Sequence, residues 1–154
     1  MELFFEPFFP FTCKEKKGFK HSCIIGLGGN IGNVRKRFLR VFRGIKADRR
    51  FHVVQTSAIL KNPPFGFEEQ EDFYNAVMRV QTSLSPRDLL KFLLHTEKRF
   101  KRERSFKNAP RTLDLDIIFF DDIKYQHKRL KIPHPYWKER ESVVIPLMFI
   151  KNLR

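Results

Sequence analysis

At 154 residues, 42% of them hydrophobic and 31% charged, the chain has the make-up of one soluble domain large enough to bury a core. Its 31 Lys and Arg against 17 Asp and Glu leave a formal charge of +14. That excess favours polyanionic partners (nucleic acid, an anionic membrane surface, a nucleotide's phosphates) without choosing among them. No apolar run approaches the ~20 residues of a membrane span. The start of the chain lacks the basic region of a signal peptide. Cys13 and Cys23 make neither a Cys-x-x-Cys pair nor a disulfide framework, so a reducing cytoplasm is the expected compartment.

Residues 1–21 read as an arm ahead of the domain proper, which is expected to span 22–154. Five Phe in the first eleven residues predict that the arm packs on the body or on a partner, and Pro7 and Pro10 argue against a regular helix. Cys23 to Leu27 reads as a buried strand that enters the turn Gly28-Gly29-Asn30-Ile31-Gly32-Asn33. The glycine spacing fits neither a dinucleotide fingerprint, because Ile31 stands at the third position, nor a Walker A loop, because no Gly-Lys-Ser/Thr follows. Asn33 is placed to cap a helix with the apolar stripe Val34, Phe38, Val41, Phe42 and Ile45. Phe51 to Leu60 reads as a second strand, and Lys61 to Phe67 as a proline-shaped loop. An acidic cluster at 68–72 leads into a third strand, Phe73 to Gln81, with Phe73, Asn75 and Val77 on one face. Ser85 and Pro86 open a second helix whose expected buried face is Leu89, Leu90, Phe92, Leu93, Leu94 and Phe100, with Glu97 beside it.

From Lys98 to Arg111 the chain is strongly basic, and it then enters Leu113-Asp114-Leu115-Asp116-Ile117-Ile118-Phe119-Phe120. On a strand, Asp114 and Asp116 point the same way while Leu113, Leu115 and Ile117 face away. Two carboxylates side by side repel unless a cation sits between them, and an oxygen-only set of this size suits Mg²⁺ shared with substrate phosphates. Arg111 is placed to meet a phosphate oxygen. Taken alone, the pair is equally an acidic strand end facing water. A hairpin through Tyr125 to Leu130 and a last strand, Val143 to Leu147, are expected after it. His134 lies between Pro133 and Pro135.

Four segments together resemble the 6-hydroxymethyl-7,8-dihydropterin pyrophosphokinase family. They are Gly26 to Asn33; Asn62-Pro63-Pro64-Phe65-Gly66 with Gln70 to Val77; Pro110-Arg111-Thr112-Leu113-Asp114-Leu115-Asp116-Ile117; and Ile132-Pro133-His134-Pro135 with Arg140. They occur in the family's order over about residues 22–148, which a chance match would not give. The resemblance implies a ferredoxin-like α+β sandwich with an antiparallel-rich sheet. It implies transfer of pyrophosphate from ATP to the pterin's hydroxymethyl oxygen, releasing AMP, with two Mg²⁺ ions held by Asp114 and Asp116. Arg102 and Arg111 are then expected to neutralise the transferred group. Arg104, Ile117, His134 and Arg140 are expected on the nucleotide side; Asn62, Pro64, Phe65, Phe73 and Asn75 around the pterin; and Glu97 in support. A monomer without nucleic-acid or membrane partners is the corresponding expectation. Departures from the family pattern are Asn108, where a tryptophan usually stands, and Ser142, in place of an aromatic two residues after Arg140. Two non-enzymatic readings compete: a degenerate pyrophosphokinase, and an RNA-binding domain. The latter lacks its aromatic strand motif, since Lys17-Gly18-Phe19-Lys20-His21 breaks after the third residue.

Overall fold

The computed structural model describes residues 1–102 and 106–151. The elements run β1 (Glu2–Phe4), β2 (Phe11–Thr12), β3 (His21–Gly29), α1 (Val34–Ala47), β4 (Phe51–Thr56), β5 (Ile59–Asn62), β6 (Phe73–Thr82), α2 (Pro86–Arg99), β7 (Asp114–Phe120), β8 (Tyr125–Gln126), β9 (Lys131–Ile132) and α3 (Glu141–Leu147). The main sheet has the order β1-β5-β6-β3-β7, with β4 on the other half of β6 and β2 on β4. Every pairing is antiparallel. Strand, helix, strands, helix, strand from β3 to β7, with β3 central, is the ferredoxin-like α+β sandwich.

Both long helices start where local chemistry dictates. The Asn33 side chain accepts from the Lys36 amide, and the Ser85 hydroxyl from the Asp88 amide. Their apolar stripes cover one face of the sheet, where Phe38, Phe42, Ile45, Leu89 and Leu93 meet Cys23, Ile25, Leu27, Met78 and Leu115. The buried face of α2 is Leu89, Leu93, Thr96 and Glu97, so Leu94, expected inside, lies outside. It falls one position past Leu93, on the flank of the stripe. The amino-terminal segment packs on the same body. Phe9 is fully buried against Phe38 and Phe42, and β1 and β2 extend the sheet.

Two expected strands differ. Phe51 to Leu60 is broken at Ser57, whose amide donates to the Val77 carbonyl and whose hydroxyl accepts the Val77 amide. The chain therefore shifts along β6 and continues as β5. Val143 to Leu147 is helical, not extended. Its Val143, Leu147 and the following Ile150 recur at the three-to-four spacing of a helix and cover Ile24, Val77 and Ile118 on the sheet's second face. Burial at that spacing outweighs the β propensity of Val143, Val144 and Ile145. Among the described residues no helix is long and apolar enough to cross a membrane.

Candidate active site

α3 covers only part of the second face, and the remainder is an open cleft. Its floor follows from the register. Gly28 of β3 lies between Asn75 of β6 and Asp114 of β7, and Gly26 lies between Val77 and Asp116. Residues paired across an antiparallel sheet share a face, so two glycines leave a trough with Phe73 and Asn75 on one bank and Asp114 and Asp116 on the other. A Cβ at Gly28 would stand 2.8 Å from Asn75 Oδ1. The cleft is also lined by Asn62, Phe65, Asn108, Arg111, His134, Arg140 and Ser142.

The amide bank is preset. Asn75 Nδ2 donates to Asn62 Oδ1 at 2.7 Å, and Asn62 Nδ2 to the Pro63 carbonyl at 3.0 Å. The carboxylate bank is tied to arginines. Arg102 Nη1 donates to Asp114 Oδ1 at 2.6 Å and to Glu97 Oε2 at 2.9 Å, while Arg111 Nη1 donates to Asp114 Oδ2 at 3.0 Å. Glu97, 3% exposed, also accepts the Leu115 amide at 2.7 Å, so one carboxylate fixes both the guanidinium and the strand between the two aspartates. Arg111 reaches across the trough, with its guanidinium carbon 5.1 Å from the centre of the Phe73 ring.

The two aspartates are electrostatically unlike. Burial pushes the Asp114 carboxyl up, but Arg102 and Arg111 outweigh it and hold Asp114 below the usual carboxylate range. Burial and then the charges of Asp114 and Glu97 push Asp116 up to about 8. The Asp116 carboxylate makes no hydrogen bond or ion pair among the described residues. Burial, followed by the charge of Arg140, lowers the pKa of His134 and so favours its neutral imidazole form. Its backbone amide is held by the Ile118 carbonyl and its Nδ1 accepts from the Tyr136 amide, which leaves the proton on Nε2.

A second network escapes sequence reading. The Asn30 amide and Oδ1 pair with the Arg111 carbonyl and amide, both at 2.9 Å. Asn30 Nδ2 donates to Gln70 Oε1 and to the Glu71 carbonyl, and Gln70 Nε2 donates to the carbonyls of Phe67 and Asn108. The turn after β3 thereby positions both the 63–72 loop and the segment before β7. Its only sequence signal is two amide residues in loops.

The model of the 7,8-dihydro-6-hydroxymethylpterin-pyrophosphokinase family matches residues 24–152. The chain belongs to this family. It is 50% identical over 143 residues to the 2-amino-4-hydroxy-6-hydroxymethyldihydropteridine pyrophosphokinase of Campylobacter jejuni, covering 93% of this chain and 91% of that protein. It is 40% identical over 148 residues to the enzyme of the same name in Helicobacter pylori, covering 95% and 91%. Identity to the folic acid synthesis protein FOL1 of Dictyostelium discoideum is 34% over 123 residues, 80% of this chain and 18% of that protein.

Within this pyrophosphokinase frame, the structure gathers Asn62, Phe65, Phe73, Asn75, Arg111, Asp114, Asp116, His134 and Arg140 around one cleft. Arg102 lies directly behind Asp114 with Glu97. Pro64 lines an adjoining groove with Phe65 and Arg140. The Ile117 side chain packs in the helix-side core, and the residue borders a further cleft with Lys128, Arg129, Lys131 and His134. Arg104 lies outside the described residues.

Proposed function

We propose that the glycine-floored trough is where this family's reaction occurs: transfer of pyrophosphate from ATP to the hydroxymethyl group of 6-hydroxymethyl-7,8-dihydropterin, giving AMP and the pterin diphosphate in folate biosynthesis. The observation that carries the assignment to this site is the register. Asn75, Gly28 and Asp114 stand in one row, so a flat ring on the amide bank and a polyphosphate on the carboxylate bank meet over a strand with no side chain between them.

On the pterin bank, Phe73 offers a ring face, and Asn75, held by Asn62, offers donor and acceptor to a heterocycle's edge. Pro64 and Phe65 close that side. On the phosphate bank, Arg102 and Arg111 supply fixed positive charge beside the position where charge develops, and His134 Nε2–H and Arg140 donate to phosphate oxygens. Ile117 serves the nucleotide through the wall of the neighbouring cleft, and Arg104 belongs to the same basic segment. Glu97 positions Arg102 and β7.

Two Mg²⁺ ions fit the pair Asp114 and Asp116. The donors are oxygen only, and Asp116 is a crowded carboxylate with no cation of its own, a demand that a divalent ion meets. Mg²⁺ held by these carboxylates would supply positive charge against the triphosphate and make the attacking hydroxyl more acidic, chemistry that would spare the protein a dedicated base. The reading extends to a cytoplasmic monomer that engages neither nucleic acid nor membrane. Incubation with ATP, Mg²⁺ and the hydroxymethyl dihydropterin should yield AMP, and Asp114→Asn and Asp116→Asn should each lower the rate at least a hundredfold. ADP in place of AMP contradicts the transfer chemistry; no product, or undiminished rates in both variants, contradicts the site.

A further inference from the structure

Resting on that reading, we propose that Phe65 is a platform shared by the two substrates' sites. In the free enzyme its ring holds the Arg140 guanidinium, and when Arg140 turns to the triphosphate the ring becomes the second wall of the pterin pocket.

A pterin ring has two faces, and Phe73 covers one. The other wall has few candidates. Trp137 packs on Phe119, with ring centres 5.0 Å apart, and Phe106 packs edge-on against Phe67 at 5.2 Å. Neither lines the cleft, and Ser142, which does, offers no ring. Phe65 lines it and is 66% exposed, so its ring is accessible from the cleft. The loop that carries it is pinned. Gly66 has φ +85°, and a Cβ there would stand 2.2 Å from Asn108 Nδ2, so Asn108 locks the backbone next to Phe65.

Arg140 differs from the other two arginines of the site. Arg102 and Arg111 are neutralised by Asp114 and Glu97, whereas Arg140 forms no ion pair among the described residues. Its guanidinium carbon lies 5.2 Å from the centre of the Phe65 ring and 5.7 Å from that of Tyr136. Two ring faces are its main company, although it is close enough to Asp116 and His134 to bias both ionisations. A cation without an ion-pair partner is the first to respond when a polyanion enters. A charge-assisted bond to phosphate is stronger than a cation–π contact, so the triphosphate displaces Arg140 from Phe65. Breaking the free-state contact subtracts from nucleotide affinity, and vacating the ring adds to pterin affinity.

The consequence is a pair of opposite shifts that a merely structural residue would not produce. Phe65→Leu keeps an apolar side chain of similar size but removes the ring. It should bind a non-hydrolysable ATP analogue with Mg²⁺ about 2–5-fold more tightly, because no cation–π contact has to be broken. It should bind 6-hydroxymethyl-7,8-dihydropterin, titrated with the analogue present, about 10-fold more weakly. Phe65→Trp, a better cation–π platform, should shift nucleotide binding the other way, and the ligand-free melt of Phe65→Leu should fall by no more than about 1–4 °C, the counterpart of the lost contact, so both variants stay folded. Isothermal titration of the three proteins reads all of this. Binding of both ligands by the wild type, with parallel or absent shifts in Phe65→Leu, overturns the shared platform alone. Failure of the wild type to bind the pterin overturns the functional reading and the platform together.

Discussion

Asp116 gives the sharpest handle on the site, because its environment makes a claim about stability in the absence of ligands. Its carboxyl is pushed up to about 8 by burial and by Asp114 and Glu97. The unfolded chain releases that proton near pH 4 and the folded chain only near pH 8, so between those values the unfolded state binds fewer protons. Stability therefore falls as pH rises across the window, by at most about 1.4 kcal/mol per pH unit for one proton. From pH 5 to 7.5 the loss is about 3 kcal/mol. At about 2–4 °C per kcal/mol for a chain of this size, the melting temperature should drop by roughly 6–12 °C. Asp116→Asn removes the titrating group, so the difference between the two proteins should grow with pH while contributions from groups that do not sense Asp116 cancel. The assay is thermal melting of both proteins across pH 5 to 8, with chelator and then with Mg²⁺ and the ATP analogue. Under the second condition the wild type should regain its loss at pH 7.5 and the variant should gain less. Parallel melting curves in chelator would refute the electrostatic account of Asp116.

Three further outcomes follow from contacts elsewhere. Arg102→Ala leaves Glu97 and Asp114 facing each other without their shared cation, and should cost about 3–5 kcal/mol in denaturant unfolding together with a large fall in kcat; unchanged stability would remove Arg102 from the buried network. Phe9→Ala empties a fully buried site against Phe38 and Phe42 and should cost about 3–5 kcal/mol, whereas a loss under 1 kcal/mol would make the amino-terminal segment dispensable to the fold. Trp137→Ala should lower stability by about 2–3 kcal/mol through its contact with Phe119 while moving pterin affinity less than twofold; a large affinity loss would place Trp137 at the pterin.

What could be read from the chain depended on whether a contact leaves a periodic trace. The period-two spacing of Asp114 and Asp116, the stripe of α1 and the caps Asn33 and Ser85 are local features, and each appears where the spacing puts it. α3 was legible only as a β-branched run, because the partner that completes its helical spacing, Ile150, lies beyond that run. The break at Ser57 leaves no trace of its own, since it is set by Val77, twenty residues away. The Asn30–Gln70–Arg111 network joins positions 40 and 81 residues apart through polar side chains, where hydrophobic periodicity carries no information. The role of Gly26 and Gly28 as a floor depends on the β3 register with both neighbours, which a failed nucleotide fingerprint only hints at.

The net charge of +14 suggests a site waiting with free cations, but the arrangement is different. Arg102 and Arg111 already have Asp114, and Glu97 takes a further share of Arg102. Were both guanidinia to turn toward phosphate oxygens, Asp114 would be left in a crowded, largely buried position without a counter-charge, a cost of several kcal/mol. Asp116 has the opposite difficulty, a carboxyl pushed up because burial, Asp114 and Glu97 outweigh Arg102 and Arg140. On the proposed reading, a divalent ion arriving with a triphosphate would meet both demands at once: the carboxylates would gain a cation as the arginines gained an anion. Either ligand alone meets only one. On this argument the selectivity of the phosphate bank for a metal-bound polyphosphate lies less in the number of basic residues than in their prior engagement, and Arg140, held by two rings instead of a carboxylate, is the member of the set free to move first.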